Sequence, residues 1–280
     1  MVLKTSLPEI KISDLYSSSV HLGHKTSRWN PSMAPYIYSI KNNIHIIDLQ
    51  KTYVLLKKAL LKIYETISQN KKILFVSSRT NVSQIVAEYA EKCGQFYISH
   101  RWLGGILTNW KTVSSSIKKL EKMEEILRNK DLAGKYTKKE ILNLERKKDK
   151  LLKSFQGIRN MNGKPSLIIV FDTNKDHLAI KEAQKLKIPI IAILDTNSNP
   201  KAIDFPIPGN DDSMKSIKYF CENFVQTSLN SIKQSLIESG VDLVKDLEDV
   251  DAIKNISAQK DNENRIKNIS DKKENKKQVN

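Results

Sequence analysis

The sequence predicts an α/β fold in which helices cover both faces of a parallel β-sheet, with two long helices inserted between strands. Short apolar runs such as Ile73–Val76 and Leu167–Phe171 alternate with helix-like segments, which is typical of buried parallel strands. Between them, residues 109–156 combine heptad-like apolar spacing with many lysines, which is typical of paired, largely exposed helices. We therefore assign residues 1–240 to one α/β domain that residues 109–156 interrupt.

The first 70 residues predict short elements followed by one long helix. Residues 12–20 can form a short helix, whereas residues 21–31 are too rich in polar and turn-forming residues for a core element. Pro31 and Pro35 hold the next segment extended. The run Ile44–Ile47 predicts a strand, and a helix follows over roughly residues 50–68.

Strand–helix units occupy the rest of the domain. A helix after Ile73–Val76 has Asn81 and Gln84 as a cap pair and Gly94 as its end, and Phe96–Ile98 is the next strand. Beyond the insertion we expect a strand at residues 167–171, a helix over about 176–186, a strand at 188–194 and a helix from about 213 to 238. The proline-rich residues 199–213 predict a crossover loop, in which Asp212 or Ser213 caps the last helix.

The inserted segment predicts an antiparallel coiled-coil hairpin. A turn at Gly134 and the capping box Thr137-x-x-Glu140 separate two helices. Glu124 and Lys148 interrupt the otherwise apolar seam, which consists of Val113, Ile117, Leu120, Leu127, Ile141, Leu144, Leu151 and Phe155. Residues 241–280, acidic at first and then rich in Lys and Asn, predict a disordered tail.

The charge of the chain indicates a polyanionic partner. The formal net charge is +16, and residues 101–160 alone hold 16 Lys and Arg against 7 Asp and Glu. A concentrated basic element is what phosphate neutralisation requires, so nucleic acid is favoured over an acidic membrane surface. Cys93 and Cys221 form no metal-type or disulfide spacing, and neither a signal peptide nor a membrane-spanning run is evident, so we expect a soluble intracellular protein.

The sequence offers little support for an enzyme. It contains no GxGxxG or GxxxxGK[ST] phosphate loop, no GxSxG elbow and no HExxH helix, so we expect no catalytic residues, no cofactor and no small-molecule substrate. The alternative is a nucleotide- or RNA-processing enzyme that uses the carboxylates of two Asp-Thr-Asn sequences, residues 172–174 and 195–197, which follow predicted strands. His21 and His24 together with Asp195 could hold a metal, although we favour structural or RNA hydrogen bonds for both imidazoles.

Several stretches of this chain resemble the small-subunit ribosomal protein S2 family of bacterial or organellar type. Their order and spacing match over about residues 10–235. The matching stretches are His21–Thr26 with Arg28–Pro31, Ile44–Thr52, Arg101–Trp110, Ile188-Pro189 with Asp195–Asn197, and Ile207–Asp212. The chain departs from the family at Ser77-Ser78-Arg79, where a Gly-Thr-Lys-like turn is usual.

This resemblance implies a flavodoxin-like, doubly wound sheet that carries the coiled-coil hairpin. It also implies a structural protein on cytoplasmic or organellar ribosomes that binds rRNA between the head and body of the small subunit. Expected partners are neighbouring small-subunit proteins and, where it exists, the mRNA-binding protein S1. By resemblance, the hairpin 109–156 and the residues Lys25–Asn30 would face RNA, and the residues themselves add RNA contact by Arg101. The predicted RNA-binding residues are Lys25, Arg28, Trp29, Asn30, Arg101, Trp102, Lys111, Lys118, Lys119, Lys122, Arg146, Lys147 and Lys150.

Overall fold

The structure is a computed structural model that describes residues 7–129 and 136–238. The chain divides into one unit of residues 1–232 and a second of residues 233–280, of which only the end of a helix is described. The predicted turn at Gly134 and the predicted tail at 241–280 lie outside the described residues.

The N-terminal region forms a small antiparallel sheet. After helix α1 (Ile12–Ser17), strands β1 (Leu22–Lys25), β2 (Ile37–Lys41) and β3 (Ile44–Ile47) pair in the order β1-β3-β2. Asn42 and Asn43 join β2 to β3 with positive φ angles of 50° and 60°, as a tight hairpin turn requires. Helix α2 (Leu49–Ser68) follows, with the Asp48 side chain accepting the Gln50 N–H at its start.

Five parallel strands form the main sheet. They are β4 (Ile73–Val76), β5 (Phe96–Ile98), β6 (Leu167–Val170), β7 (Ile190–Leu194) and β8 (Phe205–Pro208), in the order β5-β4-β6-β7-β8. Helix α3 (Thr80–Lys92) links β4 to β5, and the long helices α4 (Trp110–Arg128) and α5 (Lys138–Phe155) lie between β5 and β6. Helix α6 (His177–Lys185) links β6 to β7, and α7 (Met214–Glu238) follows β8. The α/β prediction with a parallel sheet is confirmed.

Alternating side chains of the sheet feed two separate cores. Ile73 and Phe75 of β4 join one apolar cluster with residues of α2, α3 and α7, whereas Leu74 and Val76 join the other. The second cluster also holds Val113 and Ile117 of α4, Phe155 of α5, and residues of α6. Helices therefore cover both faces, and the long helices are anchored to the sheet where α4 begins and α5 ends.

The predicted and observed elements differ at three places. Residues 22–25 form β1, although their polar character predicted no core element, and residues 205–208 form edge strand β8 within the predicted loop. Asn81 and Gln84 do not cap α3, which has Arg79 at its N-cap position and no side-chain cap bond. Ser213, one of the two predicted caps of the last helix, directly precedes α7 and its carbonyl accepts the Ile217 N–H, while the Asn210 carboxamide accepts the N–H groups of Asp212 and Ser213.

Candidate nucleic-acid interface

The long helices present many cations without partners. The side chains that these helices bury are apolar: Val113, Ile117 and Leu120 on α4, and Phe155 on α5. Every predicted cation on these helices is exposed, and none forms an ion pair within residues 7–129 and 136–238. They are Lys111, Lys118, Lys119 and Lys122 on α4, and Arg146, Lys147 and Lys150 on α5. Unpaired exposed cations are available for phosphate groups.

Helices α4 and α5 contact each other, and an ion pair ties the segment after α5 back to α4. Arg159 lies with its Nε 3.6 Å from Glu121 Oε1 and with its Nη2 2.5 Å from Glu124 Oε2. Glu124 is the residue that interrupts the predicted seam, so this pair accounts for a carboxylate at that position. The capping box of Thr137 and Glu140 at the start of α5 is present as predicted.

The loop before α4 is organised by one carboxylate. Glu182 of α6 accepts the indole N–H of Trp102 at 3.0 Å and the backbone N–H of Gly105 at 2.7 Å. It also accepts the backbone N–H groups of Leu107 and Thr108 and the Thr108 hydroxyl, at 3.0 to 3.1 Å. Partial burial opposes ionisation of Glu182, but these hydrogen bonds outweigh it and lower the pKa of the carboxyl.

In this arrangement Arg101 and Trp102, two neighbouring residues predicted to bind RNA, differ in their exposure. Arg101 is exposed and has no ion pair within the described ranges. Trp102 is 4% exposed, so its ring packs in the core instead of being offered to RNA for stacking. Its indole N–H is used within the protein, as buried indoles usually require.

The segment Lys25–Asn30 lies between the small sheet and the end of β7. Lys25 and Arg28 are exposed, and Trp29 is 40% exposed with its ring 5.3 Å from that of His45. Asn30 is half-buried: its backbone N–H donates to Thr196, and its side chain accepts the Ser32 N–H. The cations and the tryptophan are therefore available to a partner, whereas Asn30 holds the turn.

A cluster of carboxylates forms where the strands of the main sheet end, because the carboxyl ends of parallel strands share one edge. His24 of β1 reaches this edge, with its Nδ1 2.9 Å from Asp195 Oδ2 and its Nε2 3.3 Å from Asp212 Oδ2. Arg79, after β4, donates to Asp172 from Nε at 2.9 Å and contacts Asp212. Ligand atoms of His24, Asp195, Asp211 and Asp212 all lie within 4.8 Å of one another.

Asp211 is the least satisfied member of this acidic cluster. Both carboxylate oxygens are buried and lack a hydrogen bond in the described chain, although Arg79 Nη1 lies 3.7 Å from one of them. Burial and the neighbouring Asp195 carboxylate raise the pKa of Asp211 to about 7. The hydrogen bond to Asp195 raises the pKa of His24, against the opposing effect of burial. The four carboxylates of Asp172, Asp195, Asp211 and Asp212 thus share two basic groups, Arg79 and His24.

His21 does not join His24, contrary to the predicted pairing. Its ring stacks on Tyr16 with centroids 4.3 Å apart, and burial lowers the pKa of its imidazole. The reason is that β1 begins immediately after His21, so the helical spacing that would have brought the two rings together is not present. Asp195, the third predicted metal candidate, does lie beside His24.

Sequence reasoning missed several of the residues that organise these regions. Glu182 carried no local signal, because its partners lie about 75 residues earlier in the chain. Arg79 was noted only as a change from the usual turn, yet its guanidinium lies within 4 Å of the carboxylates of Asp172, Asp211 and Asp212. The Asp-Thr-Asn sequences at 172 and 195 did signal carboxylates at one sheet edge, but they gave no indication of Arg79 or Asp211.

Comparison with known proteins agrees with the resemblance. Residues 15–231 match the family described as Ribosomal protein S2. The chain is 54% identical over 259 residues to the small ribosomal subunit protein uS2 of Rickettsia bellii, covering 91% of this chain and 89% of that protein. It is 55% identical over 239 residues to the uS2 protein of Rickettsia massiliae, covering 85% and 81%. The chain therefore belongs to the ribosomal protein S2 family.

Proposed function

We propose that this protein binds rRNA between the head and body of the small ribosomal subunit through the exposed cations of α4, α5 and the segment Lys25–Arg28. Membership of the family makes the chain a structural, non-enzymatic component of the small subunit. The proposal goes beyond family membership in three respects: the residues of the interface, the position on the subunit and a cytoplasmic location.

The unpaired cations of the long helices carry this proposal. Eleven lysines and arginines on α4 and α5, among them the seven predicted ones, are exposed without an ion pair in the described chain, while the buried side chains of both helices are apolar. Neutralising phosphates releases condensed counterions, which favours binding in proportion to the number of contacts. A protruding basic element fits the groove between two RNA helices better than it fits a small-molecule substrate.

The fold supports the same reading. The strand order β5-β4-β6-β7-β8 is the 2-1-3-4-5 order of flavodoxin-like sheets, and α4 with α5 would form the antiparallel coiled-coil hairpin inserted between β5 and β6. Within residues 7–129 and 136–238, no helix has the length and apolar character needed to cross a membrane. Neighbouring small-subunit proteins and, where present, protein S1 are the protein partners we propose.

Sedimentation through a sucrose gradient tests the ribosomal assignment. A tagged copy in cell lysate should migrate with small subunits at low salt and increasingly as free protein at high salt, because phosphate contacts weaken with ionic strength. A copy that stays free at both salt concentrations contradicts the proposal. Migration with subunits that salt does not affect would mean that protein contacts, rather than the cationic helices, hold it.

We also propose that His24, Asp195, Asp211 and Asp212 hold a divalent metal ion. The observation that favours it is the Asp211 carboxylate, which is buried beside an imidazole and two further carboxylates and has no hydrogen bond to either oxygen from the described residues. One imidazole nitrogen with carboxylate oxygens is a donor set that zinc accepts. The ion would tie β1 of the small sheet to the strand ends of the main sheet, and no catalytic step is involved.

Calorimetric titration with zinc tests this site on chelator-treated full-length protein. We expect binding that His24→Asn weakens at least tenfold, whereas His177→Asn, a change at an exposed histidine on α6, leaves it unaltered. Zinc should also raise the melting temperature of the wild type but not of His24→Asn, because a ligand that binds only the folded state stabilises it. Equal zinc affinity in both variants would contradict the assignment.

A further inference from the structure

A cavity opens beside the small sheet, and its lining residues are different from those of the acidic cluster. It has a volume of about 370 Å³, at the lower end of the range typical of small-ligand sites. Its lining is mostly apolar, with one tryptophan and one histidine as the planar groups. The lining residues are Trp29, Ala34, Ile37, Ser39, Ile40 and His45.

His45 is the feature that needs an explanation. The residue is 4% exposed, and neither ring nitrogen has a hydrogen-bond partner in the described part of the chain. A buried polar group without a partner costs free energy, so such groups are rare in native proteins. Because His45 lines the cavity, a turn of its ring would bring one buried nitrogen to a ligand there, and that ligand would supply the missing partner. A planar group with a donor or an acceptor on its edge would suit one of the two nitrogens, since these point away from each other.

Trp29 and Ile40 supply the apolar surfaces of the cavity. The Trp29 ring lies 5.3 Å from the His45 ring at an interplanar angle of 34° and is 40% exposed. Ile40, which pairs with His45 across the β2–β3 ladder, is 59% exposed. A flat ring inserted here would cover apolar surface that otherwise faces water, and stacking on an aromatic side chain is a common way of holding an unpaired base.

Cations flank this cavity in the sequence and in the sheet. Arg28 immediately precedes Trp29, and Lys41 immediately follows Ile40. Lys25 and Lys41 both pair with Ile44, from opposite sides of β3. All three cations are exposed and have no ion pair among residues 7–129 and 136–238. An occupant attached to phosphate groups matches this charge better than an aromatic side chain of a protein partner does.

We propose that this cavity receives a single nucleobase unstacked from a loop or bulge of the bound RNA, with Trp29 as the stacking surface and His45 as the hydrogen-bonding group. The inference rests on the proposed RNA-binding function and adds the chemical identity of what the cavity binds. It also assigns to His45 a role in recognising the base edge, which separates this cavity from the purely electrostatic contacts of α4 and α5.

A pair of RNA duplexes tests the proposal on the full-length protein. One carries a single bulged 2-aminopurine, and the other is continuous. We expect the wild type to prefer the bulged duplex by about tenfold, the scale of one base–aromatic stack, and to quench the 2-aminopurine fluorescence. Trp29→Leu should abolish both effects, and His45→Phe, which keeps a ring but no nitrogens, should reduce the preference.

Matched controls separate this inference from the proposed function. Tyr38→Leu removes an exposed aromatic ring that lies on β2, the strand of Ile40, but lines a different cavity. This variant should keep the preference for the bulged duplex. Equal binding of both duplexes by the wild type would overturn the base site and leave RNA binding intact. Absence of binding to either duplex would instead overturn the proposed function, and the base site with it.

Cross-linking within the ribosome distinguishes a nucleobase in the cavity from a side chain of a neighbouring ribosomal protein. A photoreactive amino acid in place of Ile40 should yield adducts to rRNA in purified small subunits. Adducts to a ribosomal protein alone would show that a protein side chain fills the cavity and would overturn the inference. Because Trp29 and Ile40 are partly exposed, changes at these positions test the cavity even if His45→Phe does not fold.

Discussion

At the scale of single residues, Glu182 shows how one side chain can organise a whole loop. One carboxylate accepts five hydrogen bonds from the loop that precedes α4, including three from backbone N–H groups. Hydrogen bonds to an ionised acceptor are stronger than those between neutral groups. The charge of Glu182 therefore fixes the direction in which α4 leaves the sheet.

Replacing Glu182 by Gln should destabilise the protein in a pH-dependent manner. We expect the free energy of unfolding at neutral pH to fall by about 1–2 kcal/mol, because charge-assisted bonds are lost at a partly exposed site. The folded-state pKa lies below the ordinary value of 4.5, so the stabilisation is present above pH 4.5 and is lost as pH falls through the folded pKa. Urea unfolding on either side of pH 4.5 measures the difference.

The matched control for this change is Glu145→Gln on α5. Glu145 is exposed and makes no hydrogen bond or ion pair in the described chain, so its replacement should alter the unfolding free energy by no more than about 0.5 kcal/mol. A loss in Glu182→Gln that is the same at low and neutral pH would mean that side-chain shape, not charge, holds the loop.

At the scale of elements, the junction between α5 and strand β5 is unusually close. Gly157, just after α5, packs directly on Tyr97: a Cβ added there would meet the Tyr97 carbonyl and lie 2.6 Å from two ring carbons. No side chain fits at this separation without moving the strand. The absence of a side chain at position 157 therefore sets how closely the long helices seat on the sheet.

Gly157→Ala should accordingly lower the free energy of unfolding by about 1–3 kcal/mol, the usual cost of overpacking. Thermal denaturation of this variant beside Gly104→Ala provides the comparison, because an added Cβ at Gly104 meets no heavy atom within 4 Å. Similar melting temperatures for the two variants would indicate that β5 can shift to accommodate a methyl group.

The elements that the sequence predicted are those whose signals are local. Strands β4, β6 and β7 are uninterrupted apolar runs, because both of their faces are buried. Strand β1 has no such pattern; it fits because Gly23 lets the chain approach Thr196, whose Cγ2 would lie 2.5 Å from a Cβ at that position. Strand β8 contains Pro206 and Pro208, which are tolerated because it is an edge strand.

At the scale of the whole molecule, the positive charge has a defined location. The net charge is +16, yet four carboxylates gather at the sheet edge, so positive charge is concentrated elsewhere, above all on α4 and α5. The separation of positive from negative charge can be predicted from the sequence only in part. The excess of Lys and Arg in residues 101–160 is visible in the sequence, whereas the acidic cluster is assembled from strand ends far apart in the chain.

Reversing Lys118, Lys119 and Lys122 to Glu should weaken RNA binding and flatten its salt dependence. If each lysine contacts one phosphate, the slope of log K against log salt should shrink by about 2–3 units. Filter binding at several salt concentrations measures this slope. Reversal of Lys58, Lys71 and Lys185 changes the net charge equally at exposed sites outside the long helices, so an equal loss there would assign the effect to net charge alone.

The sequence distance between Glu182 and the loop it organises has a consequence for biosynthesis. Gly105 and Glu182 are 77 residues apart, so at about 5–20 residues per second the carboxylate is added roughly 4–15 s after its partners. During that interval the loop N–H groups have only water as partners. The two long helices are thus made before their anchor exists, and their basic surface acquires a fixed orientation only once the second half of the sheet has been translated.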